Sequence, residues 1–189
     1  MFRIRGYLPR ITVRTVARVL KYHGGRVADI ACGRGVLLKE ISTHNNKDVV
    51  GIDIDTDQIE YARSAGMTVV LGDIFSMPFK DEIYDIAVCL NTLYNFNSMN
   101  DLVSILSEMV RIVRKGGKVV LDIRNKRNLL LYMKYWLHMK RGKHPTVSYL
   151  PTEIENVMKG LGCNIVMCEA VGINNQYLAL DFVLIFEKE

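Results

Sequence analysis

The sequence predicts an α/β fold: a doubly wound, seven-stranded, mostly parallel sheet with a C-terminal antiparallel hairpin and helices on both faces. Three observations predict it. Short β-branched runs alternate with longer stretches of helical period along the chain. Runs such as VVGIDI at 49–54 and YDIAVCL at 84–90 are apolar at nearly every position, as parallel strands covered on both faces are. The last two strand candidates are separated only by residues 170–177, too few for a helical crossover and suited to an antiparallel connection.

In chain order the strands are predicted at 27–31, 48–54, 67–71, 84–90, 118–123, 163–169 and 178–187, with helices near 9–23, 36–43, 56–65, 100–114, 127–140 and 152–161. The helix at 56–65 has its start signal in Asp55 followed by Gln58, a capping-box spacing, and Thr152 with Glu155 repeats that spacing after Pro151. Lys115, Gly116 and Gly117 supply a basic last turn and a glycine stop for the helix at 100–114. The 189 residues suffice for one core, so residues 1–189 form a single domain, with an N-terminal helical segment at 1–26 and an insertion at 125–150.

Composition narrows the function. No stretch approaches the roughly 18–20 apolar residues of a membrane-spanning helix, and the start lacks the apolar run of a secretory signal, which points to a cytoplasmic location. Cys32, Cys89, Cys163 and Cys168 form no CxxC pair and read as buried, reduced thiols; with four scattered histidines there is no metal-ligand spacing. Lys and Arg number 25 against 20 Asp and Glu, and they are segregated: residues 1–28 hold seven bases and no acid, and residues 123–152 hold seven more and no acid. Such basic segments favour an anionic substrate, a lipid head group or nucleic acid.

The chemistry gathers at strand ends. Asp29-Ile30-Ala31-Cys32-Gly33-Arg34-Gly35 leads from the first strand into a helix, where glycines let the backbone turn and approach a ligand. A dinucleotide fingerprint would place its third glycine at Leu38, and Asp29 would repel a pyrophosphate, so the acid suits a cationic group instead. Asp53, 18 residues after Gly35, is placed to accept both hydroxyls of a ribose, and Asp73 ends the third strand where an exocyclic amine could donate to it.

Together these segments resemble the class I S-adenosylmethionine-dependent methyltransferases with a Rossmann-like fold, in the small-molecule group typified by quinone biosynthesis, over about residues 27–187. VADIACGRG is similar to that family's first motif, VVGIDID to its ribose-binding strand, GDIFSMPFKDEIYDIAVC to its adenine loop and fourth strand, and EMVRIVRKGGKVVLDI to its following helix and fifth strand. The resemblance implies S-adenosyl-L-methionine as cofactor and S-adenosyl-L-homocysteine as product. It implies that Asp29 and the backbone of Ala31, Gly33 and Gly35 hold the methionine part, that Asp53 takes the ribose, and that Ile54 packs on adenine. Asp73 and the Ile74 backbone would read the adenine amino edge, with Leu90 and Asn91 beside the methionine amine and sulfonium. Ala31 departs from the usual first glycine, Arg34 from a small polar residue, and Lys115 from a frequent proline.

The acceptor is less marked. Thr92-Leu93-Tyr94 after Asn91 differs from the Asn-Pro-Pro-Tyr type motif of amino-group nucleic-acid enzymes, and no Pro-Cys pair offers a nucleophile for cytosine C5. Base candidates beside the expected methyl position are His138, His144, Tyr94 and Tyr149, with Trp136 also on the acceptor side and Tyr7 placed to close over the cofactor or to pack; no catalytic base is singled out. Written as a helix, Arg127, Lys134, His138 and Arg141 make a narrow basic stripe, while Leu129, Tyr132, Met133, Trp136 and Leu137 make a broad apolar face. That pattern suits a cap on the core, a lid over a lipophilic acceptor, or peripheral membrane contact. The sequence thus predicts methyl transfer to a small acceptor, anionic or lipophilic. The alternatives are a non-catalytic cofactor-binding partner, an RNA methyltransferase using the basic segments, and an NAD-dependent oxidoreductase, the last disfavoured by Leu38 and Asp29.

Overall fold

A computed structural model describes residues 12–17, 25–42, 48–140 and 146–189, the side chains of residues 138 and 139 excepted. A helical stretch at 12–17 (α1) leads the described chain. Then follow β1 (Val27–Ile30), α2 (Val36–Ser42), β2 (Val49–Asp53), α3 (Thr56–Ser64), β3 (Val69–Leu71) and β4 (Tyr84–Cys89). After a 3₁₀ turn at Leu93–Asn95 come α4 (Met99–Ile112), β5 (Val113–Arg124), α5 (Leu129–Lys140), α6 (Pro151–Gly160), β6 (Cys163–Val171) and β7 (Asp181–Lys188).

The seven strands lie in the order β3-β2-β1-β4-β5-β7-β6. The first five are parallel, and β7 runs antiparallel to both β5 and β6, which is the predicted hairpin seated at the sheet's far side. The order reverses between β1 and β4, so the connections leaving their carboxyl ends part to opposite sides and open the crevice where such sheets bind ligands.

The near-continuous apolar strands are explained by their two faces. Ala28, Ile30, Ala87, Cys89 and Leu121 point to a core shared with Leu102, Ile105 and Met109 of α4 and Ile154 and Met158 of α6. Val27, Ile86, Val88 and Val120 point the other way, to Val13 and Val16 of α1 and Leu37 and Ile41 of α2. A period of two with both faces buried leaves few positions for a polar residue, and one buried there, such as Asp122 of β5, has to be paired.

Three local expectations change. Lys115, Gly116 and Gly117 do not terminate α4; they lie inside β5, which begins at Val113 directly after the helix. Gly116 has φ 68°, and the pairing with β4 jumps from Tyr84↔Val113 to Ile86↔Lys118, so the glycines form an irregular step in a strand instead of a helix stop. The box at α6 sits two residues earlier than predicted: the Glu153 carboxylate accepts the Leu150 N–H at 2.7 Å, because Pro151 occupies the first helical position and makes Leu150 the cap. Asp55 caps α3 as expected, accepting the N–H groups of Asp57 and Gln58 at 2.9 and 3.2 Å. Of the thiols, Cys32, Cys89 and Cys163 are buried and Cys168 is exposed, against the expectation for that one.

Candidate functional site

β1 and β4 end side by side, and the chain leaves both in left-handed backbone, Ala31 at φ 58° and Asn91 at φ 56°. Asparagine tolerates this conformation; for alanine it stores about 1–2 kcal/mol of strain. The loop continues through Gly33 and Gly35 at φ 53° and 73° before α2 begins. A Cβ on Gly33 would meet only Gln58 Oε1 at 3.9 Å, so conformation rather than crowding asks for glycine there.

The tips are tied to one another. Asp53 Oδ2 accepts the Gly33 N–H at 2.7 Å, and Oδ1 accepts the Asp55 N–H at 3.0 Å, which fixes the β2 tip against the loop after β1. Gly72 N–H donates to the Asp53 carbonyl at 3.0 Å, and Asp73 Oδ1 accepts the Phe75 N–H at 2.9 Å. Between these acids Ile54 stands 69% exposed, while Ile74 is buried.

At the switch point a cavity of about 360 Å³ opens, lined by Val13 of α1, Asp29, Ala31, Gly33, Leu90 and Asn91. Asp29 is 3% exposed, and among the described residues no donor is hydrogen-bonded to its carboxyl. Burial, with the Asp53 charge second, pushes its pKa up to about 8. An unpartnered buried carboxyl on a cavity wall calls for a cation. Cys32 beside it is pushed up to about 12 by burial and then by Asp29 and Asp53, so it stays a thiol. Arg34 also borders the cavity, with its exposed guanidinium 4.8 Å over the Tyr61 ring. A larger hollow of about 680 Å³ lies towards the opposite ends of the strands, beside Asp48, Val49 and Thr68, and holds none of the three tip acids.

Behind Asn91 lies a buried charged group that sequence reasoning missed. Arg124, at the end of β5, donates to Asp181 of β7 and to Asn91 Oδ1 at 3.1 Å, and stacks 4.3 Å over the Tyr94 ring. Asp122 Oδ1 accepts the Asn91 N–H at 2.6 Å. Burial pushes Asp122 up to about 7; Arg124, 3.8 Å away, opposes the shift and Asp181 adds to it. Among the described residues Asp122 Oδ2 and Asp181 Oδ1 are buried with no hydrogen-bond partner. The available signal was a charge inside a run such as KVVLDIR or LALDFVLIF, since a charge in a doubly covered strand must be paired.

A family model described as a methyltransferase domain matches residues 28–121, from β1 through most of β5 and across all three acidic tips. The chain belongs to the class I S-adenosylmethionine-dependent methyltransferases. That family uses S-adenosyl-L-methionine, and the predicted fold is the one found. Over 100 residues the chain is 29% identical to the probable tRNA methyltransferase 9B of Bos taurus, covering 53% of this chain and 21% of that protein. Over 96 residues it is 33% identical to the demethylmenaquinone methyltransferase of Corynebacterium kroppenstedtii, covering 51% and 40%. It thus spans about a fifth to two fifths of the length of these curated relatives. Among solved structures it resembles the magnesium protoporphyrin IX methyltransferase of Synechocystis PCC 6803 with bound S-adenosyl-L-homocysteine, at a TM-score of 0.80 and 16% identity over 100% of this chain and 89% of that one.

The acceptor-side candidates are not brought together. Tyr94 lies against the Arg124 guanidinium, in the 3₁₀ turn that follows β4. Tyr149 is buried and its hydroxyl donates to the Phe96 carbonyl at 3.0 Å, so it serves packing, and burial raises its pKa. Trp136 faces outward with Lys140 4.2 Å over its ring. The His138 side chain, Tyr7, Arg141 and His144 lie outside the described residues. Arg127 precedes α5 and bonds Gln176, so it is no member of a helical stripe. The apolar face of α5 covers nothing described: Leu129, Tyr132, Met133, Trp136 and Leu137 are all exposed. Among the described residues no helix is long and apolar enough to cross a membrane.

Proposed function

We propose that this domain transfers a methyl group from S-adenosyl-L-methionine to a small acceptor, anionic or lipophilic. The observation that carries the reading is Asp29, a buried carboxyl with no hydrogen-bond donor among the described residues, on the wall of a cavity at the ends of β1 and β4. It would receive the cofactor's ammonium, with the turned backbone of Ala31, Gly33 and Gly35 around the methionine part and Leu90 and Asn91 opposite. Asp53 would exchange its bond to Gly33 for the ribose hydroxyls, exposed Ile54 would pack on adenine, and Asp73 with the Ile74 N–H would read the adenine edge.

When bound, the sulfonium supplies an already activated methyl group. The chain's work is therefore orientation and exclusion of water. Asn91 is held for this from behind by Asp122 and Arg124, so its left-handed backbone does not relax when a ligand enters. Val13 closes one side of the cavity with an apolar surface.

A second reading, methylation of tRNA, is favoured by the likeness to the Bos taurus protein and by the basic segments. Transfer of labelled methyl groups into a cell extract, sorted into small-molecule, lipid, RNA and protein fractions, separates the two. Label among small molecules or lipids supports the first reading and label in RNA the second. Binding of S-adenosyl-L-homocysteine with no label anywhere would make the domain a cofactor-binding partner instead.

A further inference from the structure

α5 is mounted with its apolar side outward. At 3.6 residues per turn, Leu129, Leu130, Tyr132, Met133, Trp136 and Leu137 share one outward arc, each between 43% and 75% exposed. The inward side carries buried Leu131 with half-buried Lys134 and Tyr135, which lie in the field of the buried Arg124 and Asp181. A helix whose polar side feeds an internal charge cluster has no apolar stripe left for the core, so its greasy side is left in water.

The exposed surface continues onto the loop between β6 and β7. Asn128, just before α5, donates to the carbonyls of Leu178 and Ala179, which holds that loop against the helix start and brings exposed Ile173, Tyr177 and Leu178 next to it. Isolated exposed apolar residues need no explanation, but a contiguous group of this kind marks an interaction surface.

Charge identifies the partner. Residues 123–152 contain seven Lys or Arg and no acid, and residues 170–180 contain no acid either. Of the seven, Arg124 is buried against Asp181, Lys126 pairs with Glu153 and Lys134 lies inward, which leaves Arg127 and Lys140 as the exposed cations beside the arc among the described residues. Within the arc Lys140 lies along the Trp136 ring at 4.2 Å, an apolar stem and aromatic face with the charge at the tip. Arg127 stands at the helix start, exposed, and Arg141 and Lys143 follow the helix in sequence. Aromatic rings and aliphatic side chains flanked by exposed Arg127 and Lys140 complement the boundary between acyl chains and anionic head groups.

We infer that α5 and the β6–β7 loop form a docking surface for an anionic lipid bilayer, on which the domain lies without spanning it. This goes beyond methyl transfer and does not depend on which acceptor is used.

Trp136 is the chain's one tryptophan, so its emission reports on this surface alone. The full chain is titrated with vesicles of phosphatidylcholine alone and of phosphatidylcholine mixed with phosphatidylglycerol, and binding is measured in parallel by vesicle flotation. The surface predicts a blue shift and co-flotation with the anionic vesicles, with about tenfold weaker binding to the neutral ones or at high salt. Leu130→Ser with Leu137→Ser weakens flotation by about tenfold or more and leaves S-adenosyl-L-homocysteine affinity unchanged, which shows that the variant is folded. No flotation of the wild type, or equal flotation of the double variant, overturns the proposal. A blue shift produced by protein concentration alone, with dimers in light scattering, overturns it too and assigns the surface to a second copy of the chain.

Discussion

Cofactor affinity is expected to rise with pH through a carboxyl that is neutral in the free protein. Asp29 sits at about 8 because burial, and then the Asp53 charge, disfavour its ionised form. If its carboxylate is what receives the ligand's ammonium, binding releases a proton wherever Asp29 starts protonated. The apparent dissociation constant then carries a factor of one plus ten to the power of the pKa minus the pH. That factor is about 100 at pH 6 and about 10 at pH 7, and it fades above pH 9, or about 2.7 kcal/mol across the range. The ligand's own α-amino group titrates in the same region, so the comparison is with Asp29→Asn, which shares that term and lacks the carboxyl. Isothermal titration with S-adenosyl-L-homocysteine, in buffers of different ionisation enthalpy, measures both affinity and protons released. The wild type should exceed the variant by most at pH 9, and its advantage should shrink about 100-fold towards pH 6. Identical slopes for the two proteins would refute the assignment. The same group sets a stability trend of opposite sense: its folded pKa lies above its unfolded value, so the native state holds the proton more tightly. The wild type should therefore lose stability relative to Asp29→Asn as pH rises from about 4 to 8, measured without ligand by urea unfolding.

Other perturbations test other parts. Asp53→Ala should weaken S-adenosyl-L-homocysteine binding by about 1.5–3 kcal/mol, since a charge-assisted acceptor is lost together with the tie to Gly33; unchanged affinity in titration would remove Asp53 from the site. Gly51→Ala should destabilise the fold by about 1–3 kcal/mol, because its Cβ would stand 2.6 Å from Cys32 Sγ and 2.8 Å from Leu38 Cδ1; the shift in urea midpoint reads it. Arg124→Met should cost about 3–5 kcal/mol of stability by stranding Asp122 and Asp181 without a counter-charge, and adding Asp181→Asn should return part of it in a double-mutant cycle.

Much of this was legible beforehand, for identifiable reasons. Strands buried on both faces write themselves as unbroken apolar runs, so all seven appeared in order, and an eight-residue gap gave the hairpin its sense. The tip acids stood out because each ends such a run; their convergence needed the sheet order, which places β1 beside both β2 and β4. What the residues hid depends on partners far along the chain. Asp122 and Arg124 acquire meaning only beside Asp181, 57 residues after Arg124, and the period of α5 reveals an apolar side but not which way that side is turned. At Leu150 the box was misplaced because proline fixes the first helical residue more strongly than threonine marks a cap.

Arg124 and Asp181 are register partners across β5 and β7, and β7 comes after every other residue that shapes the cavity. During synthesis, then, all three acidic tips leave the ribosome while the guanidinium behind Asn91 still lacks its main counter-ion and β5 still has an open edge. A message truncated before codon 181 would encode the full set of carboxylates proposed to face the ligand and yet yield a pocket with no backing. Retention of the nucleoside by a nascent chain would accordingly report arrival of the last strand, not of the residues that touch it.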